Sequence, residues 1–141
     1  MFSNIVERLI EWGDCDPAGI VFYPRYFAMF DAATWVLFQA ALGLYKPELL
    51  ARFGIAGCPM VDARARFLAP LSFGMQARIE SRIKALGRSS FKISHALFHG
   101  DTLAVEGDEV RVWTRRDAED PHRLRSVPIP DEVRAALGSP R

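Results

Sequence analysis

The sequence predicts an α+β domain in which an antiparallel sheet of five or six strands wraps around one long helix. The segment Tyr23 to Leu42 (YPRYFAMFDAATWVLFQAAL) is apolar on nearly every side, the composition of a helix buried in a core. Met75 to Leu86 alternates without a break. Met75, Ala77, Ile79, Ser81, Ile83 and Ala85 form one face, and Gln76, Arg78, Glu80, Arg82 and Lys84 the other. That is the period of a strand with one packed and one solvated surface. The strand-like segments near it are joined by short turns, which make neighbours antiparallel. A single apolar helix must then be covered by a curved sheet.

In chain order, Phe2 to Trp12 is rich in Val, Ile and Leu and reads as a first strand. A Pro/Gly-rich loop leads to the helix. Pro24 suits its first turn and Gly43 its C-terminal stop, giving a rod of about 28 Å. Lys46 to Phe53 forms a short second helix, with Pro47 early and Gly54 closing it. From Pro59 to Leu68 the period is two, with Val61, Ala63, Ala65 and Phe67 opposite Asp62, Arg64 and Arg66. Phe91 to Phe98 and Leu103 to Thr114 are two further strands joined by His99-Gly100-Asp101. A polar linker then leads to a terminal helix over Pro130 to Gly138.

At 141 residues, half of them hydrophobic and a quarter charged, the chain reads as one domain covering 1–141. A formal net charge of +1 offers no broad attraction to nucleic acid or to an anionic membrane. Cys15 and Cys58 make no disulfide framework and suit a reducing compartment. Glu7 and Arg8 interrupt the N-terminal apolar residues, and no small-residue cleavage site follows. The expectation is a cytoplasmic protein without a membrane span.

The residues from Gly13 to Pro24 (GDCDPAGIVFYP) place two carboxylates and a thiol before the start of a buried helix. The first N–H groups of any helix lack intrahelical acceptors. The residue before Pro24 is Tyr23, a poor cap, and Val21 and Phe22 bring no acceptor. Several free donors and the positive end of the helix dipole then suit an oxygen that gains negative charge. Asp16, held extended by Pro17, is a carboxylate close to such an end, a pairing suited to acyl chemistry. Read from the residues alone, Asp14 and Asp16 fit equally an Asx-turn before Pro and Gly. Asp31, an acid in an apolar helix two turns beyond Tyr23, can accept a hydrogen bond from a hydroxyl on an aromatic acyl group or be satisfied within the core. Cys58 reads as a small buried side chain, and Cys15 lacks a histidine partner. His95 and His99 lack a third ligand, so no metal is expected.

The run GDCDPAGIVFYPRYFAMFDAAT closely resembles the 4-hydroxybenzoyl-CoA thioesterase family of hot-dog-fold enzymes, and the similarity extends more weakly through GIAGCPMVDARARFLAP to about Trp113. The resemblance implies that Asp16 is the catalytic carboxylate and that the main-chain N–H of Tyr23 holds the thioester carbonyl. It also places Cys58 on the pocket side and Arg88-Ser89-Ser90 at the CoA phosphates, where Arg and hydroxyl donors suit phosphate oxygens. This chain has a single Arg88 after Gly87 where family members can be more basic. Arg115, Arg116, Arg123 and Arg125 are candidate supplements. The implied activity is hydrolysis of an acyl-CoA, with no metal or cofactor beyond the CoA of the substrate. The implied assembly is a homodimer or homotetramer with active sites between subunits. An aromatic, hydroxybenzoyl-type acyl group, a short or long aliphatic one, and a non-catalytic acyl-CoA-binding module on the same fold are all compatible with the sequence.

Overall fold

The structure, a computed structural model, describes residues 1–139. The long helix, α1, spans Pro24–Leu42, the bounds its punctuation predicts. Pro24 begins it, where a missing N–H is harmless. Gly43 ends it at φ 71°, donating its N–H to the Gln39 carbonyl at 2.8 Å, a left-handed cap that a side chain would strain. One face of α1, from Tyr26, Met29 and Phe30 to Leu37 and Phe38, is buried. The opposite stripe of Ala28, Ala32, Val36 and Ala40 is exposed. All-round apolarity therefore does not bring all-round burial within one chain.

The sheet has five strands, all antiparallel, in the order β1-β3-β4-β5-β2. These are β1 (Ser3–Leu9), β2 (Met60–Phe67), β3 (Gln76–Leu86), β4 (Ser90–His99) and β5 (Thr102–Val112). β1 stops before the predicted Trp12, because Trp12–Asp14 coils into a 3-10 turn. The alternation of β3 is realised: Ala77, Ile79, Ser81 and Ile83 are buried against the helix. A bulge between Ile83 and Ala85 breaks the pattern at its end. β4 presents Phe91, Ile93, His95 and Leu97 to the same side.

The edge strand β2 departs from expectation. Its anticipated packed face is open, with Val61 61% and Phe67 50% exposed, because α1 packs chiefly over β1, β3 and β5. The outer face of β2 carries ion pairs between Arg64 and Asp62 (3.1 Å) and between Arg66 and Glu106 (3.3 Å). The polar linker is also more than a linker. Buried Trp113 follows β5, and β6 (Thr114–Arg116) and β7 (Leu124–Ser126) form a small hairpin. Two further helices, α2 (Lys46–Phe53) and α3 (Asp131–Gly138), close the far end of α1, where Leu49, Val133 and Leu137 are fully buried. Among the described residues no single helix is long and apolar enough to cross a membrane.

Candidate active site

The loop before α1 is closed by a bridge between Cys15 and Val21. Within it the Asp16 N–H donates to the Ile20 carbonyl (3.0 Å), and Oδ1 of Asp16 accepts the Ala18 N–H (2.8 Å). One carboxylate oxygen thus makes the Asx-turn. The other has no partner among the described residues, and the side chain lines a groove of about 440 Å³ with Trp12, Cys15, Pro17 and Gly19. Both readings of Asp16 are therefore compatible with one side chain, each using a different oxygen. Asp14 has a different fate. It is 9% exposed, and its Oδ2 accepts from Arg8 Nη2 (2.7 Å) and from the Glu11 N–H (2.9 Å). It ties the 3-10 turn to β1 and belongs to the scaffold.

At the start of α1 no side chain caps the helix, as the sequence suggests, but the free donors are fewer than expected. The Arg25 N–H is taken by Phe22 O (2.8 Å) and the Tyr26 N–H by Tyr23 O (3.1 Å). Phe22 donates to Asp14 O (2.8 Å), and Pro24 has no N–H. The Tyr23 N–H is left with no carbonyl acceptor among the described residues. Its surroundings are aromatic, since the Phe67 ring lies 6.1 Å from that of Tyr23, 5.8 Å from Tyr26 and 6.5 Å from Phe27. The Tyr23, Tyr26 and Phe67 rings, with Ile20, Leu68 and Pro70, line a second groove of about 220 Å³. Asp16 and Tyr23 therefore line neighbouring grooves.

Asp31 and Cys58 are brought together by Arg111, a residue the sequence reading passed over. The Arg111 side chain is 4% exposed. Its Nη2 donates to Asp31 Oδ1 (2.7 Å), Nη1 to the Cys58 carbonyl (3.3 Å) and Nε to Glu109 Oε2 (2.9 Å). Glu109 Oε2 also accepts from Thr34 Oγ1 (3.0 Å) and lies 3.5 Å from His95 Nε2, while His95 Nδ1 shares a hydrogen bond with Ser81 Oγ (2.8 Å). Glu109 Oε1 is buried without a partner among the described residues. Burial pushes the Glu109 carboxyl up, but the His95 and Arg111 hydrogen bonds and charges outweigh it and bring it down to about 2. Burial works against the Arg111 charge, and Glu109 and then Asp31 more than offset it, so its pKa is raised. Burial drives the Cys58 thiol up to about 12, against the pull of Arg111 and Lys46, so Cys58 fits a packed side chain. The signal that could have found Glu109 and Arg111 is their parity, since both fall on the inward face of β5, where opposite charges two residues apart have no bland explanation.

The segment Arg88-Ser89-Ser90 is a turn held by its backbone. The Arg88 carbonyl accepts the Ile129 N–H (2.9 Å) and Arg134 Nη2 (3.2 Å), and the Ser89 carbonyl accepts the Trp113 N–H (2.7 Å). The Arg88 side chain is exposed. This turn adjoins the far half of α1, where Phe38, Phe91, Trp113 and Ile129 pack together, whereas Asp16 sits at the other end of a helix about 28 Å long. Of the aromatic residues along α1, Phe30 and Phe38 are core at 1% exposure, while Phe27 and Trp35 are partly open.

Three comparisons bear on this geometry. Residues 10–137 match the model of the thioesterase-like superfamily. The chain is 37% identical over 134 residues to a 4-hydroxybenzoyl-CoA thioesterase of Pseudomonas sp. (strain CBS-3), covering 91% of this chain and 92% of the relative. It is 29% identical to a 1,4-dihydroxy-2-naphthoyl-CoA hydrolase of Thermosynechococcus vestitus (94% and 87% covered). A solved mutant of 4-hydroxybenzoyl CoA thioesterase in complex with 4-hydroxybenzoyl CoA superposes with a TM-score of 0.88 at 32% identity, over 98% of this chain and all of that one.

Proposed function

The chain belongs to the thioesterase-like superfamily, and from that premise we propose that it is an acyl-CoA thioesterase acting on a hydroxylated aromatic acyl group. Water cleaves the thioester: the carbonyl carbon gains an oxygen, the C–S bond breaks, and CoA leaves as its thiol beside a carboxylic acid. The observation that carries the catalytic assignment is the Tyr23 N–H, an open backbone donor at the positive end of α1. Such a donor is already oriented for the oxygen that becomes negative as the carbonyl is attacked. Asp16 has one carboxylate oxygen held in its turn and the other available, to attack the carbonyl directly or to take a proton from water. In this mechanism CoA is part of the substrate and no metal takes part.

The active unit we propose is a homodimer or a larger homo-oligomer. Tyr23 and Asp31 lie eight residues apart on one helix, about 12 Å along its axis, further than a hydroxybenzoyl group spans from carbonyl to hydroxyl. Arg88, Ser89 and Ser90, the proposed CoA-phosphate contacts, are further still from Asp16. Pairing two chains antiparallel through the open β2 edges places the α1 N-terminus of one beside the far half of α1 in the other. Asp16 and Tyr23 of one subunit then face Asp31, Cys58 and Arg88 of the next.

The test is Asp16→Asn, which keeps the shape and removes the charge. On the best of a panel of aryl, short-chain and long-chain acyl-CoA thioesters, kcat followed by thiol release should fall by ~10²- to 10⁴-fold, with circular dichroism unchanged. A folded variant keeping more than about a tenth of the activity refutes the role of Asp16. A wild-type protein that binds these thioesters but hydrolyses none is a binding module instead.

A further inference from the structure

We infer that Arg111 is a positioning residue that fixes Asp31 as a ring-hydroxyl acceptor, so that this chain selects aryl thioesters bearing a hydroxyl donor; the inference rests on the function proposed above.

A buried Arg–Glu pair is poor stabilising material, because desolvation takes back most of the attraction and apolar replacements often do as well. Here the pair is extended in both directions. Inward, Glu109 is gripped by Thr34 and approached by His95, which is itself tied to Ser81 and stacked on Phe30 at 4.7 Å and 5°. Outward, Arg111 uses one nitrogen on Oδ1 of the half-exposed Asp31 and another on the buried Cys58 carbonyl. The Asp31 side chain is 49% exposed and alone would sample several rotamers. With Oδ1 pinned at 2.7 Å to a guanidinium that cannot itself move, Oδ2 is held outward, with no partner among the described residues.

An ionised carboxylate is an acceptor only. It rewards a phenolic O–H, offers nothing to an unsubstituted or methoxylated ring, and repels a ring carboxylate. The same arginine anchors the backbone at Cys58, which fixes the wall beside the acceptor. A lysine at 111 would keep the charge and lose the fork that joins three acceptors at once.

The experiment compares 4-hydroxybenzoyl-CoA with benzoyl-CoA as substrates, and their non-hydrolysable thioether analogues as ligands, across wild type, Arg111→Lys, Asp31→Ala and the double variant. The expected result is a preference for the hydroxylated partner that falls about tenfold or more in each single variant. The fall should come through KM and Kd for the hydroxylated compound alone, with no further fall in the double variant. Equal losses on both compounds in a folded Arg111→Lys, or a preference that survives it while Asp31→Ala abolishes it, overturn the inference. Should Arg111→Lys fail to fold, ¹⁵N signals of the Arg111 guanidinium in wild-type protein decide. They should shift on adding the hydroxylated thioether and stay unmoved by the unsubstituted one, and equal or absent responses overturn the inference. Discrimination in binding without hydrolysis of either thioester would remove the proposed reaction and leave the role of Arg111 standing.

Discussion

Replacing Gly107 with alanine tests the packing that holds α1 on the sheet. Gly107 lies in β5 opposite His95 and Ala65, and its φ is not positive, so the backbone tolerates a side chain and only space is at issue. An added Cβ would stand 2.4 Å from Cε2, 2.7 Å from Cδ2 and 3.2 Å from Cζ of Phe30. Carbon atoms rest about 3.5–4.0 Å apart, so the ring must retreat by roughly 1 Å. It has little room, being 1% exposed and stacked on a His95 that is bonded on both ring nitrogens. Overpacking of this kind costs ~1–3 kcal/mol, and relief of glycine's conformational freedom returns ~0.5–1 kcal/mol. The expected net loss is therefore about 1–2 kcal/mol. Urea unfolding at one protein concentration, followed by tryptophan fluorescence, measures it. In a Phe30→Leu background the alanine should cost much less, a coupling visible in the double-mutant cycle. An alanine variant as stable as wild type, or additive with Phe30→Leu, refutes the reasoning.

Asp14→Asn should lower stability by about 1–2 kcal/mol through the Arg8 pair yet leave kcat near wild type, the reverse of Asp16→Asn; chemical denaturation and thiol release separate the two. Glu109, with its folded pKa depressed from 4.5 to about 2, contributes stability that is present above about 4.5 and lost as pH falls through about 2. Glu109→Gln should therefore flatten the fall of stability across that window, as read by acid titration of the unfolding midpoint. Cys58, its thiol pushed up to about 12, should stay protonated near pH ~8 and resist iodoacetamide while the partly exposed Cys15 reacts first; mass spectrometry of labelled peptides reads the order.

The parts of the fold written in local chemistry were legible in the sequence. Pro24 and Gly43 mark the two ends of α1, and the unbroken alternation from Met75 fixes the buried side of β3. The openness of β2 was not legible, because period two reports which residues share a face and not whether anything covers it. The β6–β7 hairpin escaped because its three-residue strands are too short to show a period. In the candidate site, the uncapped start of α1 could be read from the residues, whereas the singling out of the Tyr23 N–H came from the family resemblance, because Phe22 and Tyr23 carbonyls take up the next N–H groups of the turn. The separate fates of Asp14 and Asp16 could not, since what distinguishes them is Arg8, on a strand six residues upstream. Arg111 and Asp31 are 80 residues apart, and only the curvature of the sheet over α1 makes them neighbours.

The open edge of β2 also has a bearing on proteostasis. An unpaired strand can recruit any extended peptide, the first step of intermolecular aggregation. This one carries Asp62, Arg64 and Arg66 in alternation, each already engaged in an ion pair. Charged side chains along an edge disfavour a flat apolar strand as neighbour, which makes indiscriminate zippering unfavourable. These three side chains act as gatekeepers, screening a nascent chain from amyloid-like association until a strand of matching charge pattern meets it.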